Sequence, residues 1–173
     1  MIESNAVLEI NKQNLIYNYN YLSKLSKKSI CAATIKANAY GLGDEEICKI
    51  LFKEKCFYFF LATTEEAIKI RNINKKIKLF VLNGLENNKL DLFYKYNLIP
   101  ILNSKEEIKE LINDKKYFDN KFKFGIHIET GLNRLGVKIE DIDKILFKKK
   151  NLEILMSHLA SPEELKNSYN NKQ

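Results

Sequence analysis

Lys36 follows a stretch, Ile30 to Ile35, whose apolar character predicts a buried strand, and it opens the string Lys36-Ala37-Asn38-Ala39-Tyr40-Gly41-Leu42-Gly43. Burial at a strand end disfavours the charged ammonium and lowers the pKa of the amine. The deprotonated amine is the form that condenses with an aldehyde to give a Schiff base. The small residues behind Lys36 let the backbone approach a ligand closely. Position alone favours a second reading, a lysine that lays its stem along the strand end and turns its ammonium into solvent.

Two further strings end strand-like runs in the same way. Phe122 to Ile128 leads into Glu129-Thr130-Gly131-Leu132-Asn133-Arg134-Leu135-Gly136, in which two glycines bracket an arginine. The chain has only two arginines, Arg71 and Arg134, and uses lysine elsewhere for positive charge. An arginine in that setting is expected where a planar fork of donors is needed, as for gripping a carboxylate or a phenolate oxygen. A plain surface-loop arginine fits the same string. Leu152 to Met156 leads into Ser157-His158-Leu159-Ala160. A lone imidazole after an apolar run is also the pattern of a core histidine with its hydrogen bonds met.

The elements that must position these groups alternate. Strands are expected at Ile30–Ile35, Phe57–Ala62, Ile77–Leu82, Leu98–Leu102, Phe122–Ile128 and Leu152–Met156. Helices are expected at Asp44–Lys53, from Thr63-Thr64-Glu65-Glu66 through Arg71, after Ser104-Lys105-Glu106-Glu107, and at Asp141–Phe147. The Thr63 and Ser104 strings have capping-box form. Ser161-Pro162-Glu163-Glu164 could open one more helix, with proline at its first position. Strand–helix alternation implies βαβ units and a parallel sheet, closed either as an open doubly wound sheet or as a β/α barrel. A full barrel has eight strands and typically about 250 residues, so six units predict an incomplete one. Before them come a short strand-like run, Ala6–Ile10, and a helix, Asn11–Leu25.

Composition bounds the function classes. The chain has 173 residues, 45% of them hydrophobic, which suits a globular domain with a real core. No run approaches the roughly 20 apolar residues of a membrane helix, and Met1–Ile10 lacks the form of a secretory signal. A cytoplasmic protein without a membrane partner is expected. Three cysteines without a Cys-x-x-Cys pair argue against a disulfide framework or a zinc site, and no metal is expected. The net charge of +7 is spread along the chain as lysine, with a short run at 148–150, so nucleic acid is not an expected partner.

The Lys36 string resembles the cofactor-lysine signature of alanine racemases, Lys-Ala-Asn-Ala-Tyr-Gly followed by a residue and Gly. The Arg134 string is similar to that family's Asp-Thr-Gly-Met-x-Arg-x-Gly, with Glu129 and Leu132 as conservative changes. The His158 string is similar to its Ser-His-hydrophobic-Ala motif, and Leu61-Ala62-Thr63 and Val81-Leu82-Asn83-Gly84 look like the ends of its second and third strands. The resemblance runs from about Ala6 to Gln173. It implies a TIM-like (β/α)8 barrel, incomplete here, that binds pyridoxal 5′-phosphate on Lys36. Tyr40 is implied to bond the phosphate, Arg134 to sit near the cofactor 3′-oxygen and the substrate carboxylate, and His158 to pack beside the pyridine ring. Lys36 is implied to act as one of two bases in interconverting L- and D-alanine, a supply of D-alanine for peptidoglycan. The second base, a tyrosine, is implied to come from a later domain of the partner subunit in a homodimer. Residues 1–10 would supply a strand to that absent β-rich domain, and residues 11–173 the barrel part, inactive alone. A racemase for another amino acid, or a non-catalytic pyridoxal-phosphate-binding barrel of the cofactor-homeostasis type, stays open. Two departures stand out: Leu42 replaces a common histidine, and His127 replaces a lysine, often carbamylated, that orients the arginine.

Overall fold

The computed structural model describes residues 6–86, 89–114, 122–142, 151–164 and 166–173. Helix α1 (Lys12–Leu25) begins at Asn11, whose side chain accepts the Asn14 N–H. Six strands follow, β1 (Ala33–Thr34), β2 (Tyr58–Leu61), β3 (Lys78–Val81), β4 (Ile99–Leu102), β5 (Phe124–His127) and β6 (Leu152–Met156). Between them lie α2 (Asp44–Lys53), α3 (Thr64–Ile73), α4 (Leu90–Lys95) and α5 (Lys105–Asn113). Every neighbouring strand pair is parallel, and the spatial order is β1-β2-β3-β4-β5-β6.

That order decides between the two closures. A doubly wound sheet reverses its strand order at a switch point, whereas a barrel adds each strand beside the last. The sheet is therefore part of a β/α barrel, open between β1 and β6.

Strand alternation separates two apolar layers. Phe59, Leu61, Leu79, Val81, Phe124 and Ile126 face the helices and are almost fully buried. Phe80, Ile99 and Ile101 form a second cluster, with Tyr58, Phe60, Ile154 and Met156 packed against it on the barrel's inner side. The Phe60 and Phe80 rings stack at 4.6 Å between centroids.

Helix starts follow local chemistry. Thr63 caps α3 by accepting the Glu66 N–H, and Glu66 reciprocates on the Thr63 N–H. Ser104 caps α5 by accepting the Glu107 N–H. Arg71 joins elements at the other end of the sheet. Its guanidinium is buried and donates to four carbonyls, Tyr96 O, Asn74 O, Ile77 O and Asn97 O, at 2.8 to 3.3 Å. One of the two arginines is thus spent on the scaffold.

Three local expectations are corrected. The strand expected over Ile30–Ile35 is only Ala33–Thr34, because β1 lies at the sheet edge and has a ladder partner on one side alone. No α-helix opens at Ser161-Pro162: residues 162–163 form a turn, and a short 3-10 helix comes later, at Ser168–Asn171. Residues 6–10 are exposed and carry no strand. The helix expected at Asp141–Phe147 falls mostly outside the described residues, as does the lysine run at 148–150. Among the described residues no helix is long and apolar enough to cross a membrane.

Candidate active site

The C-terminal ends of the strands surround a cleft of about 590 Å³. Its walls follow the period of two: Thr34 in β1 and Lys36 beyond it, Phe60 in β2 and Ala62 beyond it, Met156 in β6 and His158 beyond it. Residues two apart on a strand share a face, so each strand aims its last inward side chain and the next one beyond it into the same space. Tyr40, Asn83, His127 and Arg134 complete the polar lining. The four residues singled out from sequence, Lys36, Tyr40, Arg134 and His158, lie around this one cleft although 122 positions separate the first from the last. None of the described residues lining it is acidic.

Lys36 is half-buried, not the fully buried amine that a central strand end would impose. Its Nζ lies 5.7 Å from the centroid of the Tyr40 ring, a cation–π contact. The backbone beyond it is unusual. Ala37, Asn38, Ala39 and Tyr40 all have φ between 51° and 55°, a full left-handed turn closed by Gly41 N–H on Ala37 O. A left-handed conformation costs an L-residue roughly 1–2 kcal/mol. The surroundings hold it in place: Ala37 N–H donates to Glu66 Oε1 at 2.8 Å, and Asn38 Oδ1 accepts the Asp44 N–H at 3.2 Å. Asp44, buried, is paired in turn with Lys69 at 2.6 Å.

Arg134 is presented by a loop that folds back on its own strand. Val137 N–H donates to His127 O at 2.8 Å and Val137 O accepts from Glu129 N–H at 3.0 Å, so residues 129–136 close into a compact excursion. Gly136, with φ at 122°, makes the closure possible: a Cβ there would lie 2.7 Å from the Glu129 backbone nitrogen. The Tyr169 hydroxyl donates to Gly131 O at 2.6 Å and pins the other limb. The Arg134 guanidinium, exposed on its outer side, reaches to 3.3 Å from His158 Nδ1. Guanidinium nitrogens only donate, so that ring nitrogen accepts. His158 is exposed in the cleft and is not a core histidine.

His127 is buried at the inner end of β5, and its Nδ1 lies 3.1 Å from Asn103 Oδ1. Asn103 Nδ2 donates to Leu82 O and Ile101 O, both at 2.8 Å, which turns the amide oxygen toward the ring. Nδ1 therefore carries the proton, and Nε2 is left as an acceptor. Burial foremost, then His158 and Arg134, holds the His127 pKa below the ordinary histidine value, with Glu129 acting in the opposite sense.

The profile of the family described as alanine racemase, N-terminal domain, matches residues 10–173. The chain belongs to this family. Alanine racemase from Rickettsia prowazekii is 39% identical over 174 residues, covering 95% of this chain and 42% of that one. The Rickettsia akari alanine racemase is 38% identical, covering 97% of this chain and 49% of that one. The chain thus spans about half the length of the curated relatives it matches. A solved alanine racemase from Bartonella henselae, with covalently bound pyridoxal phosphate, superposes with a TM-score of 0.86 at 30% identity over 94% of this chain and 49% of its own.

Asn103 supplies His127 with a partner that sequence reading did not find. Glu66 was legible as a helix cap, but not its reach to Ala37. Because His127 takes up protons less readily folded than unfolded, stability is complete above its unfolded pKa and declines as pH falls below it. Between about pH 7.5 and about pH 5.5, urea unfolding of the native chain should lose stability faster than that of His127→Gln. Glu107, whose pKa burial raises, works in the opposite sense at lower pH and cancels in that comparison.

Proposed function

We propose that this chain is the cofactor-binding part of a pyridoxal-phosphate-dependent alanine racemase, with Lys36 as cofactor lysine and as one of two bases. The single observation that carries the reading is the convergence of Lys36, Tyr40, Arg134 and His158 on one cleft at the strand C-termini. The donor set fits the cofactor: an amine for the aldehyde, a phenol for a phosphate oxygen, a guanidinium for an anionic ring oxygen, and an imidazole edge against a flat ring. The cleft's volume lies within the usual range for such ligands, about 300–1,000 Å³, and its acid-free lining favours an anion.

When bound, the cofactor supplies an electron sink that makes a substrate Cα–H acidic. The remaining steps belong to the chain's own groups. Lys36 Nζ, as a free amine, would take or return the Cα proton on one face. Arg134 orients the substrate carboxylate, and His158 Nδ1 holds that guanidinium against rotation. Tyr40 anchors the phosphate, and the left-handed turn keeps phenol and amine at a fixed separation. Inverting the centre takes a second base on the opposite face, and we assign that base to a segment beyond these residues, contributed by the partner subunit of a homodimer. In this reading residues 1–10 pair with that β-rich segment, the enzyme is cytoplasmic, and its D-alanine feeds peptidoglycan synthesis.

The experiment follows from the missing half. The 173-residue chain alone, with pyridoxal phosphate, should not interconvert L- and D-alanine. Supplied with a polypeptide carrying the C-terminal half of a rickettsial relative, it should racemise alanine, and the Lys36→Ala chain should not. Racemisation by the chain alone, or equal rescue of the Lys36→Ala chain, would overturn the assignment.

A further inference from the structure

We infer that Glu66 is the positioning residue for Lys36, a role that rests on the proposed function and that helix capping does not explain. Capping requires the carboxylate to accept the Thr63 N–H, and that is its longest contact, 3.4 Å. The shorter two point elsewhere: Oε1 accepts the Ala37 N–H at 2.8 Å and Oε2 accepts the Ala62 N–H at 2.8 Å. One carboxylate thus joins the residue after Lys36 to the end of β2.

The ladder between β1 and β2 shows why the join is needed. Its last bond on this side runs from Ile35 N–H to Phe60 O at 2.9 Å. Continuing the parallel register would take Ala37 N–H to Ala62 O. That carbonyl instead accepts from Asn83 N–H of the next strand end, at 3.0 Å, and the chain at Ala37 has already turned left-handed. Glu66 stands in for the lost rung. It supplies an acceptor to Ala37 while the backbone leaves the sheet, and so fixes the point from which the Lys36 side chain starts. The same helix holds the far end of the turn, through Lys69 on Asp44 and Asp44 N–H on Asn38 Oδ1.

The device occurs a second time without a reactive lysine, which isolates its role. Glu107, the corresponding residue of α5, accepts the Asn103 N–H at the end of β4, and its carboxylate lies so close against Gly84, in the connection after β3, that a Cβ there would overlap it. A carboxylate on a helix's first turn reaching across to the preceding connection is therefore a scaffold element of this barrel. At Glu66 the connection it grips is the one that presents Lys36.

The test compares Glu66→Ala and Glu66→Gln with the native 173-residue chain by two readouts. Backbone amide exchange at Ala37 reports the clamp without cofactor. The rate at which added pyridoxal phosphate forms a borohydride-reducible adduct on Lys36 reports its consequence. In Glu66→Ala, Ala37 should exchange faster by roughly ten-fold or more, with Leu79 and Val81 unchanged, and adduct formation should slow by roughly ten- to a hundred-fold. Glu66→Gln, which keeps one acceptor oxygen, should recover part of both, and it carries the comparison should the alanine variant fail to fold. Native exchange at Ala37 and native adduct rates in Glu66→Ala would overturn the inference. A native chain that forms no adduct on Lys36 overturns the proposed function, and Ala37 exchange then judges the clamp by itself.

Discussion

Pyridoxal phosphate added to the Lys36→Ala chain should produce no site-specific lysine adduct, while the native chain should develop the near-ultraviolet-to-visible absorbance of one. Lys36 is the amine among the described residues that line the cleft. Several lysines elsewhere are committed to carboxylates: Lys69 to Asp44, Lys89 to Glu65 and Lys105 to Asp141. A committed ammonium is a poor nucleophile, and none of these stands beside Tyr40 and Arg134. Lys36→Arg separates two contributions. It keeps a cation at the strand end but cannot condense with an aldehyde, so it should retain part of the anion affinity and none of the covalent adduct. Loss of the adduct in both variants, with weak binding surviving in the arginine variant, is the expected pattern by absorbance titration.

Arg71→Ala should have the largest effect on folding. Its guanidinium ties the end of α3 to the start of β3 and to the turn between α4 and β4, using carbonyls alone as acceptors. Burial pushes its pKa down from the ordinary arginine value, yet the carbonyl oxygens compensate enough for the charge to stay. Truncation strands several of those oxygens, at roughly 1–3 kcal/mol for each that stays buried and unpaired. A loss of about 3–5 kcal/mol is expected, a large part of the net stability of a domain, about 5–15 kcal/mol. Lys at this position should recover little, because one ammonium on a linear stem cannot reach carbonyls that a planar fork spans. Urea unfolding checks the order: native, then Arg71→Lys, then Arg71→Ala. A midpoint for Arg71→Ala within experimental error of native would refute this account of the scaffold.

What the sequence disclosed follows a physical line. The helix starts at Thr63 and Ser104 were legible because a cap is a local event, settled within four residues. Strand order was partly legible: alternation implied parallel pairing, but barrel and open sheet differ only in which strands become neighbours, a non-local fact. The left-handed turn at Ala37–Tyr40 was not legible. Asn tolerates that conformation as a single residue, but Ala and Tyr do not favour it, and the contacts that hold a run of four come from Glu66 and Asp44. His127 could be seen as a departure, but its partner Asn103 lies 24 residues away on another strand end. The four cleft residues were found by resemblance to strings of residues, and their gathering around one cleft was seen only in the structure.

On the proposed reading, one amine at the mouth of this partial barrel takes an aldehyde cofactor. The most direct measurement is to incubate the native chain with pyridoxal phosphate, reduce with borohydride, digest, and locate the pyridoxyl group by mass spectrometry. The label should fall on the peptide that contains Lys36, at a stoichiometry near one and suppressed by prior saturation with an unreactive phosphate analogue of the cofactor. Label distributed over surface lysines with Lys36 unmodified would contradict it.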